Sequence, residues 1–206
     1  MLLINHFIQD IIRNLSGPLG VRLRRWFYYR KFQQCGNHLV ISEGVYIDQP
    51  KNISLGNHVW LDKGVIIITG KSNRPNINRK GNTSYWGKLT IGDNVHVGIR
   101  SILQAHGGIT IGDGFTSGSD SKIYTLSNDV SLSENGTHNV DITKLHYKEN
   151  HIDIGNNVWC GMNSIILAGP IGNNVFIQSN SVCYTSIEEN SIASGNPAKK
   201  IKPRFK

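Results

Sequence analysis

The side chains able to catalyse proton transfer are scattered along this chain rather than grouped in one motif. Histidine is the usual general base at neutral pH, and the 206 residues include eight of them. Their spacing provides no set of three for a zinc site. The three cysteines, Cys35, Cys160 and Cys183, form no Cys-x-x-Cys pair, which predicts reduced thiols in an intracellular, metal-free protein. Cys160 and Cys183 are expected to be small buried residues of the core. Any catalytic base must therefore be positioned by the fold.

The positive charge lies at the two ends of the chain. The formal net charge is +8, with +5 in residues 1–34 and another +5 in residues 199–206, so residues 35–198 sum to −2. A DNA-binding domain more often carries its basic side chains on one face of the fold, so this distribution argues against a nucleic-acid partner. No apolar run approaches the roughly 18 residues that a membrane span needs, and no secretory signal is expected.

A four-residue phrase recurs and predicts the elements that position these side chains. It consists of an aliphatic residue, Gly, Asn or Asp, and a fourth residue, at Leu55–His58, Ile91–Asn94, Ile111–Gly114, Ile154–Asn157 and Ile171–Asn174. The starts lie 36, 20, 43 and 17 residues apart, close to multiples of 18 with one insertion, and aliphatic residues often follow at +6 and +12. Hexapeptide repeats are typical of parallel β-helices. We therefore predict an all-β solenoid of triangular coils over 35–198.

Two polar stretches interrupt this period and one residue breaks it. Residues 71–88 and 126–150 are too polar for the core and are predicted to be loops that leave a corner, where function often lies. Ser117 occupies a core position, so its coil should be less tightly packed. The sequence thus divides into an N-terminal segment, 1–34, the β-helix, 35–198, and a basic tail, 199–206.

The N-terminal segment has a different pattern. Leu3, Phe7, Ile11 and Leu15 form a helical stripe that ends at Gly17-Pro18, and arginines interleaved with aromatic residues follow. One interpretation is a helix at a membrane surface. The other is a cap that packs on the open first coil and on a neighbouring subunit, because the end of a coil stack must be covered.

The repeat and the segment 151–204 together resemble the hexapeptide-repeat acyltransferases, most closely the sugar O-acetyltransferases of the galactoside, maltose, nodulation-factor and capsule types. The phrases that carry the resemblance are Ile154–Gly161 and Ser194–Lys199. It implies a left-handed parallel β-helix, acetyl-CoA as acyl donor, and a homotrimer whose active site lies in a groove between two subunits.

The resemblance also implies a cofactor site, position by position. Trp159 matches a tryptophan that lines the cofactor groove. Gly161 and Met162 match the place where backbone groups meet the pantetheine arm, and Ser179 and Asn180 match a pair with the same role in the next coil. The basic residues that match those used for the 3′-phosphate are Lys199, Lys200 and Arg204.

The family's catalytic histidine has no counterpart here. Counting from the flanking phrases puts its position at Asn128, or at Asp129 with a one-residue shift. Asn cannot accept a proton at neutral pH, and an unperturbed Asp, with a pKa near 3.9, is a weak base for an alcohol. Three explanations stay open: another histidine, His138 being the best candidate, reaches the site; the enzyme works without a dedicated base; or catalysis has been lost.

These observations lead to one expected function and two alternatives. The expected function is acetyl-CoA-dependent transfer to a carbohydrate hydroxyl, in O-antigen or capsule polysaccharide biosynthesis. The expected location is the cytoplasm, with peripheral contact at the inner face of the membrane through the N-terminal segment. The alternatives are a trimeric homologue that binds CoA or glycan without catalysis, and an N-acetyltransferase for an amino sugar or antibiotic.

Overall fold

A computed structural model describes residues 2–80, 82–129 and 145–205. Two helices come first, α1 (Leu2–Asn14) and α2 (Gly17–Tyr29). Short strands then repeat in the order of three parallel sheets, the faces of a triangular prism. No helix in the described ranges has the length and apolar character to cross a membrane.

Each face of the prism is one sheet. The first sheet contains β1 (Gln34–Cys35), β4 (Ile53–Leu55), β8 (Leu89–Ile91), β11 (Ile109–Ile111) and β16 (Ile152–Ile154). The second contains β2 (Val40–Ile41), β5 (Trp60–Leu61), β9 (His96–Val97), β12 (Thr116–Ser117), β17 (Trp159–Cys160), β19 (Phe176–Ile177), β21 (Ser191–Gly195) and β22 (Ala198–Pro203). The third contains β3 (Tyr46–Ile47), β6 (Ile66–Ile68), β10 (Ile102–Gln104), β13 (Lys122–Tyr124), β18 (Ile165–Ile166) and β20 (Val182–Cys183). Short 3₁₀ helices lie at Pro50–Asn52 and Thr83–Tyr85.

The stacking register follows the repeat with one difference: the 36 residues from Leu55 to Ile91, which match two periods of 18, form a single coil that contains the 71–88 stretch. Leu55 pairs with Ile91, which pairs with Ile111, which pairs with Ile154. These aliphatic side chains are buried along the axis. The buried Cys160 and Cys183 belong to the same core, and burial raises the pKa of both thiols, so neither is an activated nucleophile.

The predicted weak point at Ser117 is also present. Ser117 is buried and pairs with Cys160 of the next coil, and its hydroxyl accepts a hydrogen bond from the Gly98 N–H at 2.9 Å. A cavity of about 10 Å³ lies beside it, room for about one water molecule.

Asn and Asp side chains join the coils at the corner between the first and second sheets. The Asn57 N–H donates to Asp93 Oδ1 at 2.6 Å, the Asp93 N–H to Asp113 Oδ1 at 2.7 Å, and the Asp113 N–H to Asn156 Oδ1 at 2.8 Å. The Asn156 N–H continues the ladder to Asn173 Oδ1 at 2.8 Å. The Gly-Asn/Asp phrase therefore both turns the chain and binds each coil to the next.

Helix α2 covers the first coil. Its Phe27 and Tyr28 are buried in the core. Arg24, only 1% exposed, connects α2 to α1, to the residues between the two helices, and to β2. The Arg24 guanidinium donates to the carbonyls of Ile41 at 2.8 Å, Ile12 at 2.8 Å and Leu15 at 2.6 Å. The N-terminal segment is thus helical, as predicted, and it covers one end of the coil stack.

The two polar stretches differ from the expected irregular loops. They contain β7 (Ile77–Lys80), β14 (Leu126–Asn128) and β15 (Tyr147–Asn150), which form a side sheet with β15 in the middle. The fully buried Glu149 accepts a 2.6 Å ion-paired hydrogen bond from Arg79 Nε. Two stretches 70 residues apart in sequence are thereby paired, a contact that no local pattern reveals.

The C-terminal residues also differ from a free basic tail. The chain reverses at residues 195–198, and β22 pairs antiparallel with β21, Ser194 lying opposite Lys199. The last strand of the second sheet therefore runs against the direction of the others.

Candidate functional site

The residues predicted to contact the cofactor lie together at the corner between the second and third sheets. Gly161 and Met162 follow β17, and Ser179 and Asn180 follow β19 one coil later. The Asn180 N–H donates to the Met162 carbonyl at 3.0 Å. A Cβ atom on Gly161 would lie 2.4 Å from the Ser179 nitrogen, so only glycine allows the two coils to pack this closely.

The backbone of Gly161 is already used within the coil stack. Its N–H donates to the Ile177 carbonyl at 2.7 Å, and its carbonyl accepts from the Ser121 hydroxyl at 3.1 Å. Gly161 therefore has no free N–H for a ligand and contributes close packing instead. The side chains available at this corner are Trp159 and Met162, 51% and 60% exposed, with the Trp159 ring 5.6 Å from that of Phe176. Large apolar side chains this exposed favour a ligand or a protein partner.

The three basic residues do not form one cluster. Lys199 lies beside the hairpin turn, and Lys200 pairs with Glu188 at 3.1 Å in an exposed contact, a type that contributes little. Arg204 donates to the Asn157 carbonyl at 2.6 Å and the Val175 carbonyl at 3.2 Å. At about 3.3 Å per residue, Arg204 lies roughly 16 Å along the strand from Lys199. By strand register, Lys199 and Lys200 lie level with Gly161 and Cys160 across the second sheet, whereas the Arg204 guanidinium contacts backbone beside Trp159 and Phe176.

The predicted catalytic segment leaves a different corner, between the third and first sheets. Asn128 ends β14 and is exposed, with Tyr147 as its strand neighbour. Asp129 is buried, its side chain 3% exposed, and Oδ1 is 2.9 Å from Lys148 Nζ. A buried carboxylate held by an ammonium group is poorly placed to receive a substrate proton. His138 lies outside the described residues, so its role stays a prediction.

The imidazole of His106 lies on the same edge of the prism, between the third and first sheets, one coil before the Asn128 segment. His106 is partly exposed, and its Nδ1 is 2.7 Å from the Gly70 carbonyl. Because a carbonyl can only accept, Nδ1 carries the proton in this contact and Nε2 is the acceptor. The Thr125 hydroxyl receives the Gly107 N–H at 2.9 Å, which ties His106's neighbour to the start of the Asn128 segment.

His151 is engaged by its surroundings. Its Nε2 is 2.8 Å from Asp153 Oδ1 and 3.1 Å from the Thr110 hydroxyl, and its ring stacks on Tyr85 at 4.4 Å. It connects two coils and the 71–88 stretch. The cofactor candidates and the catalytic candidates are therefore on two different corners of one chain, and the fold does not bring them together within it.

Comparison with known proteins finds relatives over short stretches of the sequence and similar folds over most of the chain. No protein-family model matches the chain. Over 65 residues, 31% of the chain, it is 48% identical to a probable macrolide acetyltransferase of Lysinibacillus sphaericus. Over 53 residues, 25% of the chain, it is 45% identical to a chloramphenicol acetyltransferase of Klebsiella aerogenes. Over 50 residues, 24% of the chain, it is 50% identical to a putative lipopolysaccharide biosynthesis O-acetyltransferase, WbbJ, of Escherichia coli (strain K12).

The chain spans 36%, 25% and 26% of the length of these relatives, respectively. Two solved structures match far more of it. AntD, an N-acyltransferase from Bacillus cereus in complex with dTDP and 3-hydroxybutyryl-CoA, has a TM-score of 0.70 at 24% identity over 87% of each chain. The hexapeptide-repeat acetyltransferase VCA0836 of Vibrio cholerae O1 biovar eltor, complexed with acetyl-CoA, has a TM-score of 0.57 at 18% identity over 97% of this chain and 84% of that one.

The resemblance to the hexapeptide-repeat acyltransferases is confirmed. The protein is an all-β solenoid, a left-handed parallel β-helix preceded by two short helices, as the sequence analysis predicts. The hand is the part of this prediction that came from the family, because most parallel crossovers are right-handed.

Proposed function

We propose that this protein is an acetyl-CoA-dependent acetyltransferase that acts on a carbohydrate hydroxyl in O-antigen or capsule polysaccharide biosynthesis. The observation that carries the proposal is the exposed Trp159–Met162 corner on a β-helix that matches CoA-bound enzymes over most of its length. Trp159 and Met162 offer an apolar wall for the pantetheine arm. Lys199 and Lys200 extend from the neighbouring hairpin toward the cofactor's phosphate groups, where a charge-assisted contact is favourable.

The proposed active form is a homotrimer. Its support is that Trp159 and Asn128 lie on two different corners of one prism. Within one chain, the cofactor corner therefore lacks the catalytic segment, and the catalytic segment lacks the cofactor corner. In a three-fold assembly, the second–third corner of one subunit faces the third–first corner of the next. The acyl donor would bind between them, and the 126–150 stretch of one chain would reach the thioester bound mainly by the other.

The proposed reaction forms a C–O bond and breaks a C–S bond. The acceptor hydroxyl oxygen attacks the thioester carbonyl, its proton passes to a base, and the tetrahedral intermediate expels CoA, whose sulfur is then protonated. A base contributes about 10²–10⁴-fold, and orientation of the two reactants can contribute more. His138 remains the proposed base, with Asn128 in the position that the family gives to histidine.

A second candidate is transfer to an amine of an amino sugar or an antibiotic. Two variants of AntD, the N-acyltransferase that shares this fold, are crystallised with dTDP-4-amino-4,6-dideoxyglucose and coenzyme A. An amine is more nucleophilic than an alcohol and needs less help from a base. Asn128 in place of histidine is easier to reconcile with such an acceptor.

The deciding experiment incubates the protein with labelled acetyl-CoA and a panel of acceptors: oligosaccharides with free hydroxyls, nucleotide-linked amino sugars, chloramphenicol and a macrolide. Transfer to the oligosaccharide hydroxyls supports the main proposal, and transfer to the amino sugars alone supports the second candidate. Transfer only to chloramphenicol or the macrolide, which also accept through hydroxyls, would contradict a carbohydrate acceptor. Tight CoA binding without transfer to any acceptor would contradict both and leave a binding protein.

A matched pair of tryptophan variants tests the cofactor corner. Trp159→Ala should raise the KM for acetyl-CoA about tenfold, the equivalent of about 1.4 kcal/mol, because it removes an aromatic wall of the groove. Trp26→Ala, which removes an exposed tryptophan on helix α2, should leave that KM unchanged. Equal values for the two variants would place the cofactor elsewhere.

A further inference from the structure

The outer face of helix α2 carries arginines and aromatic side chains side by side. Trp26 and Leu19 are 70% and 65% exposed, and the helical spacing places Arg22 and Tyr29 on the same side as Trp26. The opposite side of the helix packs on the first coil through Arg24, Phe27 and Tyr28. The outward side is thus not needed to hold the helix in place.

This face has a defined shape and an unbalanced charge. An open groove of about 380 Å³ is lined by Arg22, Arg25, Trp26, Tyr29 and Arg30. Within the described part of the chain, none of the three arginines makes an ion pair or a side-chain hydrogen bond. No acidic residue occurs between Asp10 and Glu43, so no local carboxylate neutralises them.

Helix α1 adds apolar side chains to the same helical pair. Phe7, Ile11 and Leu15 are spaced four residues apart, and Phe7 and Ile11 are among its most exposed large side chains. A helical pair with this composition would be poorly hydrated in water. It matches the requirement of a bilayer interface, where aromatic rings lie at the headgroup level and cationic side chains meet lipid phosphates.

We propose that the arginine–aromatic face of α2, with the exposed stripe of α1, binds an anionic membrane surface. The occupant is identified by charge: the guanidinium groups of Arg22, Arg25 and Arg30, which have no side-chain partner among the described residues, suit phosphate groups, because one guanidinium can donate to two phosphate oxygens. A second copy of this face would instead place arginines against arginines. The proposal is independent of acetyl transfer, because it uses no residue of the Trp159 or Asn128 corners.

The test measures partition of the full chain onto vesicles of phosphatidylcholine alone and of phosphatidylcholine mixed with phosphatidylglycerol. We expect binding to the mixed vesicles, little binding to phosphatidylcholine, and loss of binding as NaCl is raised. Binding that is equal on both vesicles, or absent from both, would overturn the proposal.

Two double variants locate the surface. Arg22→Gln/Arg25→Gln should lower the partition coefficient about 30-fold, because each basic residue near an anionic surface contributes about 1 kcal/mol. The control, Lys51→Gln/Lys88→Gln, removes the same charge from exposed positions on the β-helix and should change it much less. Equal losses in both variants would indicate non-specific attraction and refute the assignment.

The same variants distinguish the other occupants. If sedimentation showed that Arg22→Gln/Arg25→Gln changes the oligomeric state while vesicle binding stays constant, the face would be a contact between copies and the proposal would be wrong. Acetylation of a water-soluble acceptor should be unchanged in this variant. A protein with no transferase activity that still binds the mixed vesicles would leave this proposal standing and contradict only the proposed function.

Discussion

Replacing Arg24 by methionine should remove the main connection between the helical pair and the β-helix. The methionine keeps most of the side-chain volume, so the change isolates the hydrogen bonds. Arg24 donates to the carbonyls of Ile41, Ile12 and Leu15 at 2.8, 2.8 and 2.6 Å. The site is buried, and burial lowers the pKa of Arg24 without discharging a guanidinium at physiological pH. The substitution therefore leaves three carbonyls without their cationic donor.

The magnitude follows from these contacts. A hydrogen bond to a charged group contributes about 1.5–3 kcal/mol, and each buried carbonyl left without a donor costs about 1–3 kcal/mol. We expect Arg24→Met to lower the free energy of unfolding by about 4 kcal/mol, which corresponds to a fall in Tm of about 8–16 °C for a chain of this size. Arg24→Lys keeps the charge but cannot span three carbonyls, so about half of the loss is expected.

Thermal unfolding by circular dichroism, with amide exchange across residues 2–32, checks this expectation. The matched control is Arg22→Met, two residues earlier on the outer side of the same helix, which should change Tm by less than about 2 °C. Arg24→Met and Arg22→Met with the same Tm and the same exchange rates would refute the reasoning, because the carbonyls would then be satisfied without the guanidinium.

Two further predictions follow. Burial raises the pKa of Tyr28 to about 12, above the unfolded value near 10. The stability that the neutral phenol provides is therefore present below pH 10 and is lost as the pH rises towards 12. Tyr28→Phe should flatten the pH dependence of Tm between pH 10 and 12, and an unchanged slope would contradict this prediction. His138→Ala should lower kcat for a hydroxyl acceptor by about 10²–10⁴-fold while leaving the KM for acetyl-CoA unchanged, and unaltered turnover in steady-state assays would remove His138 as the base.

The coil stack could be predicted from the sequence because the recurring aliphatic-Gly-Asn/Asp phrase has a period of about 18 residues. Ile91 and Ile111 lie 20 residues apart, about one period, and pair in neighbouring coils, and the insertion before Ile154 gives the length of the second polar stretch. The 36 residues between Leu55 and Ile91 look like two periods but form one coil with the 71–88 stretch, because their strands pair directly. Each coil must bury an aliphatic side chain on the axis and then turn a corner. An aliphatic residue followed by Gly and Asn or Asp does both in each coil.

The remaining features depend on contacts between distant segments. Arg79 meets Glu149 across the side sheet, and His106 meets Gly70 across two coils; neither pair has a local sequence pattern. The reversal of β22 was missed because its lysines indicate a solvated tail while its backbone pairs with β21. For the site, residue type predicted the exposed corner at Trp159, whereas the use of the Gly161 N–H inside the stack could be seen only from the fold.

The direction of β22 has a consequence for self-association. A solenoid of parallel strands presents an unpaired rim on which a further molecule could continue the same ladder, a route to fibres. Here the last strand of the second sheet is antiparallel, so an incoming first coil would meet backbone groups in the wrong polarity on that side. At the opposite rim, α2 lies over the opening of the first coil. On the second sheet at one end, and beneath α2 at the other, the coil stack therefore resists growth into a filament.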